Sequence, residues 1–186
     1  METEEILLEA EERMENAVEA LHNAFGSVRT GRASGKVLDR IRVDYYGAMT
    51  PLNQLAAVKA PDAHLLVIEP WDKSSLKSIE RAIMESDLGV TPSNDGMVIR
   101  LPFPELTEER RRELVKLCKG YAEDARVSVR NARRDANTAL SKAEKASEIT
   151  EDDLRRGEND VQKLTDKYIA KIDEAFKAKE AELMEV

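Results

Sequence analysis

Apolar residues recur at alternating steps of three and four over residues 3–29: Leu7, Ala10, Met14, Ala17, Leu21, Ala24 and Val28. That spacing draws one apolar seam along a helix, and no proline interrupts it. Thr3 and the early glutamates suit the positive end of such a helix. Residues 107–146 repeat the pattern with Leu114, Cys118, Tyr121, Ala125, Val129, Ala132, Ala136, Ala139 and Ala143. This seam is rich in alanine, which allows neighbouring helices to approach closely. Thr107 followed by Glu108 and Glu109 predicts an N-cap and an acidic first turn. A helix of about 40 residues is about 60 Å long and needs packing partners to be stable. The third segment, 151–184, places Leu154, Val161, Leu164, Tyr168, Ile172, Ala175 and Leu183 on one face. Thr150 and Asp153 before it resemble a capping box with Asp in place of Glu. The short turn near 147–150 enforces antiparallel packing of the last two helices. Three seams of matching length predict an elongated antiparallel three-helix bundle. The chain is then a monomer, because its own seams satisfy one another; a dimeric coiled coil is the rival arrangement.

Residues 31–103 have a different texture, with five of the six prolines and five of the eight glycines. Runs Ile41–Tyr46, Ala56–Ala60, Leu65–Glu69 and Met97–Leu101 read as strands. Ser74–Ser86 reads as one short amphipathic helix with a stop at Gly89, and Asn94-Asp95-Gly96 as a turn. The fold class is therefore α+β: a bundle of residues 1–30 and 105–186, with a small β/α/β domain, 31–104, inserted between its first and second helices. Two linkers join them, Thr30-Gly31-Arg32 and Pro102-Phe103-Pro104. Gly31 permits unusual backbone angles and the prolines stiffen the return strand, so the pair reads as a hinge of restricted direction; a rigid elbow is the alternative.

Charge changes the picture of the second long helix. The chain carries a formal net charge of −8, yet residues 104–146 hold 11 basic and 8 acidic side chains, the one net-positive stretch. Within it, Arg126, Arg130, Arg133 and Arg134 fall inside an arc of about 100° on a helix. Arg112, Lys119, Arg126 and Arg133 are spaced by sevens, a step that drifts only about 20°. A row of guanidiniums on a rigid rod suits a phosphate backbone, because each planar fork can hold two oxygens. Screening limits exposed charges to about 8 Å at physiological salt, so a local basic face can bind RNA on an acidic molecule. A solvated helix face, or an adaptor surface for an acidic protein, fits the same spacing.

Other chemistry is sparse. Cys118 is the only cysteine, so no intramolecular disulfide or thiol metal cluster is expected. His22 sits on a helix surface and His64 at a strand start, with no nucleophile–base arrangement around either. No catalytic residue, metal site or cofactor is expected. GSVRTGRA at 26–33 has the glycine spacing of a phosphate-binding loop. Arg32 and Ala33 stand where such a loop needs Lys and Ser or Thr, and a helix rather than a strand precedes it. A nucleotide hydrolase is thereby disfavoured. With no apolar run near the roughly 20 residues of a membrane span and no basic n-region, the chain reads as soluble and cytoplasmic.

These residues also carry a resemblance. RTGRA at 29–33, DYYG at 44–47, TPLNQLA at 50–56, SDLG at 86–89, LTEERRREL at 106–114, VSVRNARRDAN at 127–137 and DVQKLTDKYI at 160–169, taken in order, closely resemble the bacterial ribosome recycling factor family nearly end to end. The resemblance implies an L-shaped molecule of near-tRNA dimensions. It implies binding to the post-termination ribosome on large-subunit rRNA, and subunit splitting with elongation factor G and GTP. It places rRNA-contacting arginines on Arg130 and Arg133, with Arg111 and Arg29 as further candidates. Arg130 and Arg133 coincide with the basic stripe, which adds Arg126 and Arg134; Arg111 and Arg29 rest on the resemblance alone. Ala132 departs from a larger aliphatic residue usual in the family, and Gly35-Lys36 from a small-residue and proline stretch.

Overall fold

The computed structural model describes residues 2–185. Four α-helices are present, α1 (Thr3–Gly26), α2 (Leu76–Met84), α3 (Glu108–Lys145) and α4 (Glu151–Met184). Six strands join them: β1 (Arg42–Tyr45), β2 (Ala48–Pro51), β3 (Ala56–Asp62), β4 (Leu65–Pro70), β5 (Ser93–Asn94) and β6 (Ile99–Pro102). The chain falls into two compact units. One comprises residues up to Phe25 with Val115–Ala181; the other comprises Gly26–Leu114 with the residues from Glu182 on.

The first unit packs α1, α3 and α4 side by side. Ile6 and Ala10 of α1, Ala136 and Leu140 of α3, and Val161 of α4 share one apolar cluster. Pairing of Arg126 with Asp173 and contact of Leu140 with Gly157 run in opposite senses along α3 and α4, so these helices are antiparallel. The seam of α3 is inward at Ala122 and Leu140 rather than at the half-buried Tyr121 and Ala139. On α1, Ile6 and Val18 are buried while Leu7 and Ala17 are only partly so. A helix touching two neighbours buries a wider stripe than a two-per-heptad seam, and the flanking positions compete for the interior.

On α4, Val161, Tyr168 and Ile172 are buried as read, but Leu154, Leu164 and Ala175 are half-exposed. The inner positions include Gly157 and Thr165. The Thr165 hydroxyl donates to the Val161 carbonyl at 2.8 Å, which removes the cost of burying it. Gly157 has a steric reason: a Cβ there would lie 2.9 Å from Leu140 Cδ2 and 3.0 Å from Leu140 Cδ1. The Tyr168 ring is buried and its hydroxyl lies 3.1 Å from both Glu11 and Glu15, a polar tip satisfied at the core's edge.

Helix ends follow the side-chain chemistry. Thr150 Oγ1 accepts from Asp153 N, and Asp153 Oδ2 accepts from Thr150 N, both at 3.1 Å, completing the reciprocal box. Thr107 Oγ1 accepts from Arg110 N at 3.1 Å. At the end of α3, Glu148 N donates to the Ala143 carbonyl and Ser147 N to that of Glu144, a Schellman closure. Ser147 takes the left-handed position there, at φ 58°.

The second unit has a four-stranded antiparallel sheet in the order β3-β4-β6-β5 and a separate hairpin, β1-β2. Leu66 faces Leu101 and Ile68 faces Ile99 in register. All four are fully buried and pack with Leu76, Ile79 and Ile83 of α2. Strand β2 escaped the sequence pattern because it has no buried residue. The turn before β6 runs longer than its motif. Asp95 accepts backbone N–H from Met97 at 2.9 Å and Val98 at 3.0 Å and pairs with Arg100 at 2.9 Å, so the strand starts at Ile99.

Two outcomes test this packing. Gly120, in α3, has open space where a Cβ would go, so Gly120→Ala should raise stability by about 1 kcal/mol through helix propensity. Gly157→Ala should instead lose about 1 kcal/mol or more, because overpacking against Leu140 outweighs the same gain. Equal stabilisation of both in thermal melts would refute the close α3–α4 approach.

The backbone donors and Arg100 hold the Asp95 carboxyl at about 2, below its ordinary value. Its stabilising contribution is therefore complete above the ordinary carboxylate range and lost as pH falls through about 2. An NMR titration of Asp95 with its midpoint near 4 would contradict this turn geometry.

Candidate nucleic-acid interface

The buried seam of α3 decides which way its cations face. Val129, Ala132 and Ala136 are inside, which leaves Arg130 and Arg134 exposed and Arg133 half-buried on the outward side. The four arginines of the stripe are not equivalent. Arg126 is turned sideways: its Nε and Nη2 donate to Asp173 Oδ1 at 3.0 and 2.7 Å, and its Nη1 to Glu123 Oε2 at 3.3 Å. Only 22% of its side chain is exposed. Arg130 Nη1 reaches the same Glu123 at 3.1 Å, and these two guanidiniums hold the Glu123 carboxyl below its ordinary range. Arg133 and Arg134 have no ion pair among the described residues.

From the end of the stripe onward, Arg133, Arg134, Asn137, Thr138, Ser141, Lys142 and Lys145 line one open groove of about 470 Å³ on α3. The last five were not singled out as site residues from the sequence. Their signal was a run of polar residues at steps of three and four, without the arginines that made the first stripe visible.

Arg111 and Arg29 lie in the second unit. Arg111 is half-buried, with Nη1 3.4 Å from the Met184 carbonyl and Nε shielded without a partner among the described residues. Arg29 is buried, only 7% exposed. Its guanidinium stacks on Phe103 at 5.2 Å, donates through Nη2 to the Pro104 carbonyl and through Nε to that of Thr30 at 3.5 Å. Burial, and then the charge of Arg110, lower its pKa from the ordinary arginine value. Arg29 thus ties the outgoing Thr30 segment to the returning Pro104 segment.

The two linker segments also lie within the second unit. Thr30 Oγ1 accepts from Arg32 N at 3.3 Å. Gly31 does not use the left-handed backbone region, and a Cβ there would meet nothing within 4 Å. Its conformation therefore does not require glycine, contrary to the expectation of unusual backbone angles. Pro102 ends β6, and Phe103 is fully buried in the core of this unit, its N–H donating to the His64 carbonyl at 2.6 Å. Pro104 is exposed.

His22 and His64 are both exposed. Cys118 is buried, and burial pushes its thiol up to about 11, the reverse of an activated nucleophile. Among the described residues no group of His, Cys, Asp and Glu is placed to hold a metal ion, and no helix is long and apolar enough to cross a membrane.

Comparison with known proteins agrees with this fold and helix arrangement. The family model described as Ribosome recycling factor matches residues 21–184. The chain is 61% identical over 184 residues to the ribosome-recycling factor of Halalkalibacterium halodurans, covering 99% of this chain and 100% of that one. It is 58% identical over 181 residues to that of Oleidesulfovibrio alaskensis, covering 97% and 98%. A solution structure of the ribosome recycling factor, 44% identical, aligns with a TM-score of 0.80 over 100% of this chain and 99% of that one. A second structure, also 44% identical, aligns with a TM-score of 0.68 over 100% of both chains. It is a model of the T. thermophilus ribosome recycling factor and E. coli elongation factor G bound to the E. coli post-termination complex. Matched along nearly its whole length, the chain belongs to the ribosome recycling factor family, non-enzymatic translation factors that act in ribosome recycling.

Proposed function

We propose that this chain binds the post-termination ribosome through large-subunit rRNA and, with elongation factor G and GTP, splits it into subunits in the cytoplasm. The observation that carries the reading is the outward face of α3, where Arg130, Arg133 and Arg134 project from a helix whose opposite side is fully packed. The T. thermophilus relative stands on the post-termination complex together with elongation factor G, which supports the same partners here. In this proposal the bundle, 1–30 and 105–186, is the anchor, acting as a monomer. The domain at 31–104 is the part displaced, and the linkers at 30–32 and 102–104 let it turn.

The arginines divide by what their guanidiniums already hold. Arg133 and Arg134 are free for phosphate, and Arg130 can exchange one exposed carboxylate for another anion at little cost, since such surface pairs contribute about 0–1 kcal/mol. Arg111, with its unpartnered Nε, remains a candidate contact. Arg126 is a strut between α3 and α4. Arg29 is a staple: it holds one carbonyl from each linker, so the two segments turn together and transmit force rather than slide past each other.

Arg133→Ala should weaken binding to ribosomes and reduce the slope of log affinity against log salt by about 1, as expected for one lost phosphate contact. Arg126→Ala should leave that slope unchanged and cost roughly 1 kcal/mol of bundle stability. An unaltered affinity and slope for Arg133→Ala would assign the face to bulk solvent.

Arg29→Met keeps the length and loses the donors. Ribosome affinity and its salt slope should stay at the wild-type value while subunit splitting, followed by light scattering, slows. A reduced slope with this variant would instead make Arg29 an rRNA contact.

A further inference from the structure

We propose that the groove on α3 between Arg133 and Lys145 is a ribose–phosphate site, in which Thr138 Oγ1 accepts a hydrogen bond from a ribose 2′-hydroxyl and Arg133, Arg134, Lys142 and Lys145 hold the flanking phosphates. The inference rests on the rRNA-binding reading above and extends it from the end of the arginine stripe, Arg133 and Arg134, to the segment that follows.

The lining is unusual in its composition. All seven residues come from one helix, four are cations, three are polar, and none is acidic or apolar. Glu144, the one acid between Asn137 and Lys145, is half-buried and does not line the groove. None of the four cations has an ion pair among the described residues, whereas Arg126 and Arg130 are both engaged. From Arg134 to Lys145 the helix rises about 17 Å, enough to meet several successive phosphates.

The polar members add information that charge cannot. The Thr138 hydroxyl already donates its proton to the Arg134 carbonyl at 3.0 Å. Thr138 is exposed, so what it offers outward is acceptor capacity alone. Phosphate oxygens are acceptors and gain nothing from it. A hydroxyl beside a phosphate does gain, and the 2′-hydroxyl is the group that distinguishes RNA from DNA at a given contact. Ser141, half-buried one turn on, has no hydrogen bond through its hydroxyl among the described residues and can donate or accept. Beside them, Asn137 Oδ1 is shielded and has no donor among the described residues, an acceptor left for a ligand or a water to satisfy.

The test measures binding of the full chain to isolated large ribosomal subunits across a salt series. Lys142→Ala with Lys145→Ala should reduce the salt slope by about 2. Thr138→Val, which keeps the shape and removes the acceptor, should weaken binding about fivefold, the size of one neutral hydrogen bond, with the salt slope unchanged. Thr138→Ser should restore wild-type affinity. All variants should keep wild-type helicity. An unchanged slope in the lysine variant would make the groove a solvated surface. Full affinity in Thr138→Val, or a changed slope, would remove the 2′-hydroxyl contact. A lysine variant that binds subunits normally but fails only with elongation factor G present would assign the groove to a protein partner and overturn the proposal. Arg130→Ala, on the stripe but outside the groove, separates the two levels: if it weakens binding while the groove variants do not, the rRNA reading stands and this inference falls.

Discussion

The apolar seam of α3 is the constraint on which the rest depends. Cys118, Ala122, Ala125, Val129, Ala132, Ala136, Leu140 and Ala143 are all buried, and their small volumes let α1 and α4 approach closely on either side. At one such contact Leu140 occupies the space a side chain at Gly157 would take. Because the seam cannot rotate without exposing these residues, every polar position on α3 has its direction set by packing. The basic face is thereby preorganised: its cations stand on a rigid element whose orientation is secured by burial and not by the charges themselves.

Within that face, short-range electrostatics sort equal residue types into different roles. Arg126 and Arg130 share Glu123, and Arg126 is drawn further to Asp173 on α4. Arg133 and the groove beyond it have no such carboxylates. The free cationic surface is therefore displaced along α3 toward its C-terminal end, where the basic residues Lys142 and Lys145 also complement the negative end of the helix dipole.

The second unit shows the same division of labour between turn chemistry and packing. Its sheet is held by the matched pairs Leu66–Leu101 and Ile68–Ile99, and its entrance and exit by a single guanidinium. Arg29 is nearly buried because Phe103 is: the ring gives the cation a face to lie on, and two backbone carbonyls replace the water it gives up. The guanidinium so held joins the Thr30 segment to the Pro104 segment.

Periodicity determined the three long helices and put Arg130, Arg133 and Arg134 on one side of the second, and residue type at the helix ends determined the caps at Thr107 and Thr150. Those features depend on residues near one another in the chain, and local spacing records them. Tertiary structure decided the rest. Whether Tyr121 or Ala122 and Leu7 or Ile6 turns inward depends on where the second neighbouring helix lies, which spacing on one helix does not encode. Strand β2 has no fully buried residue and so left no apolar mark. The partners of Arg126 and Arg29, Asp173 and Pro104, are 47 and 75 residues away in sequence. The groove from Asn137 to Lys145 became visible only once the carboxylates around it had been placed elsewhere, because a charge is free or spent according to what the fold brings beside it.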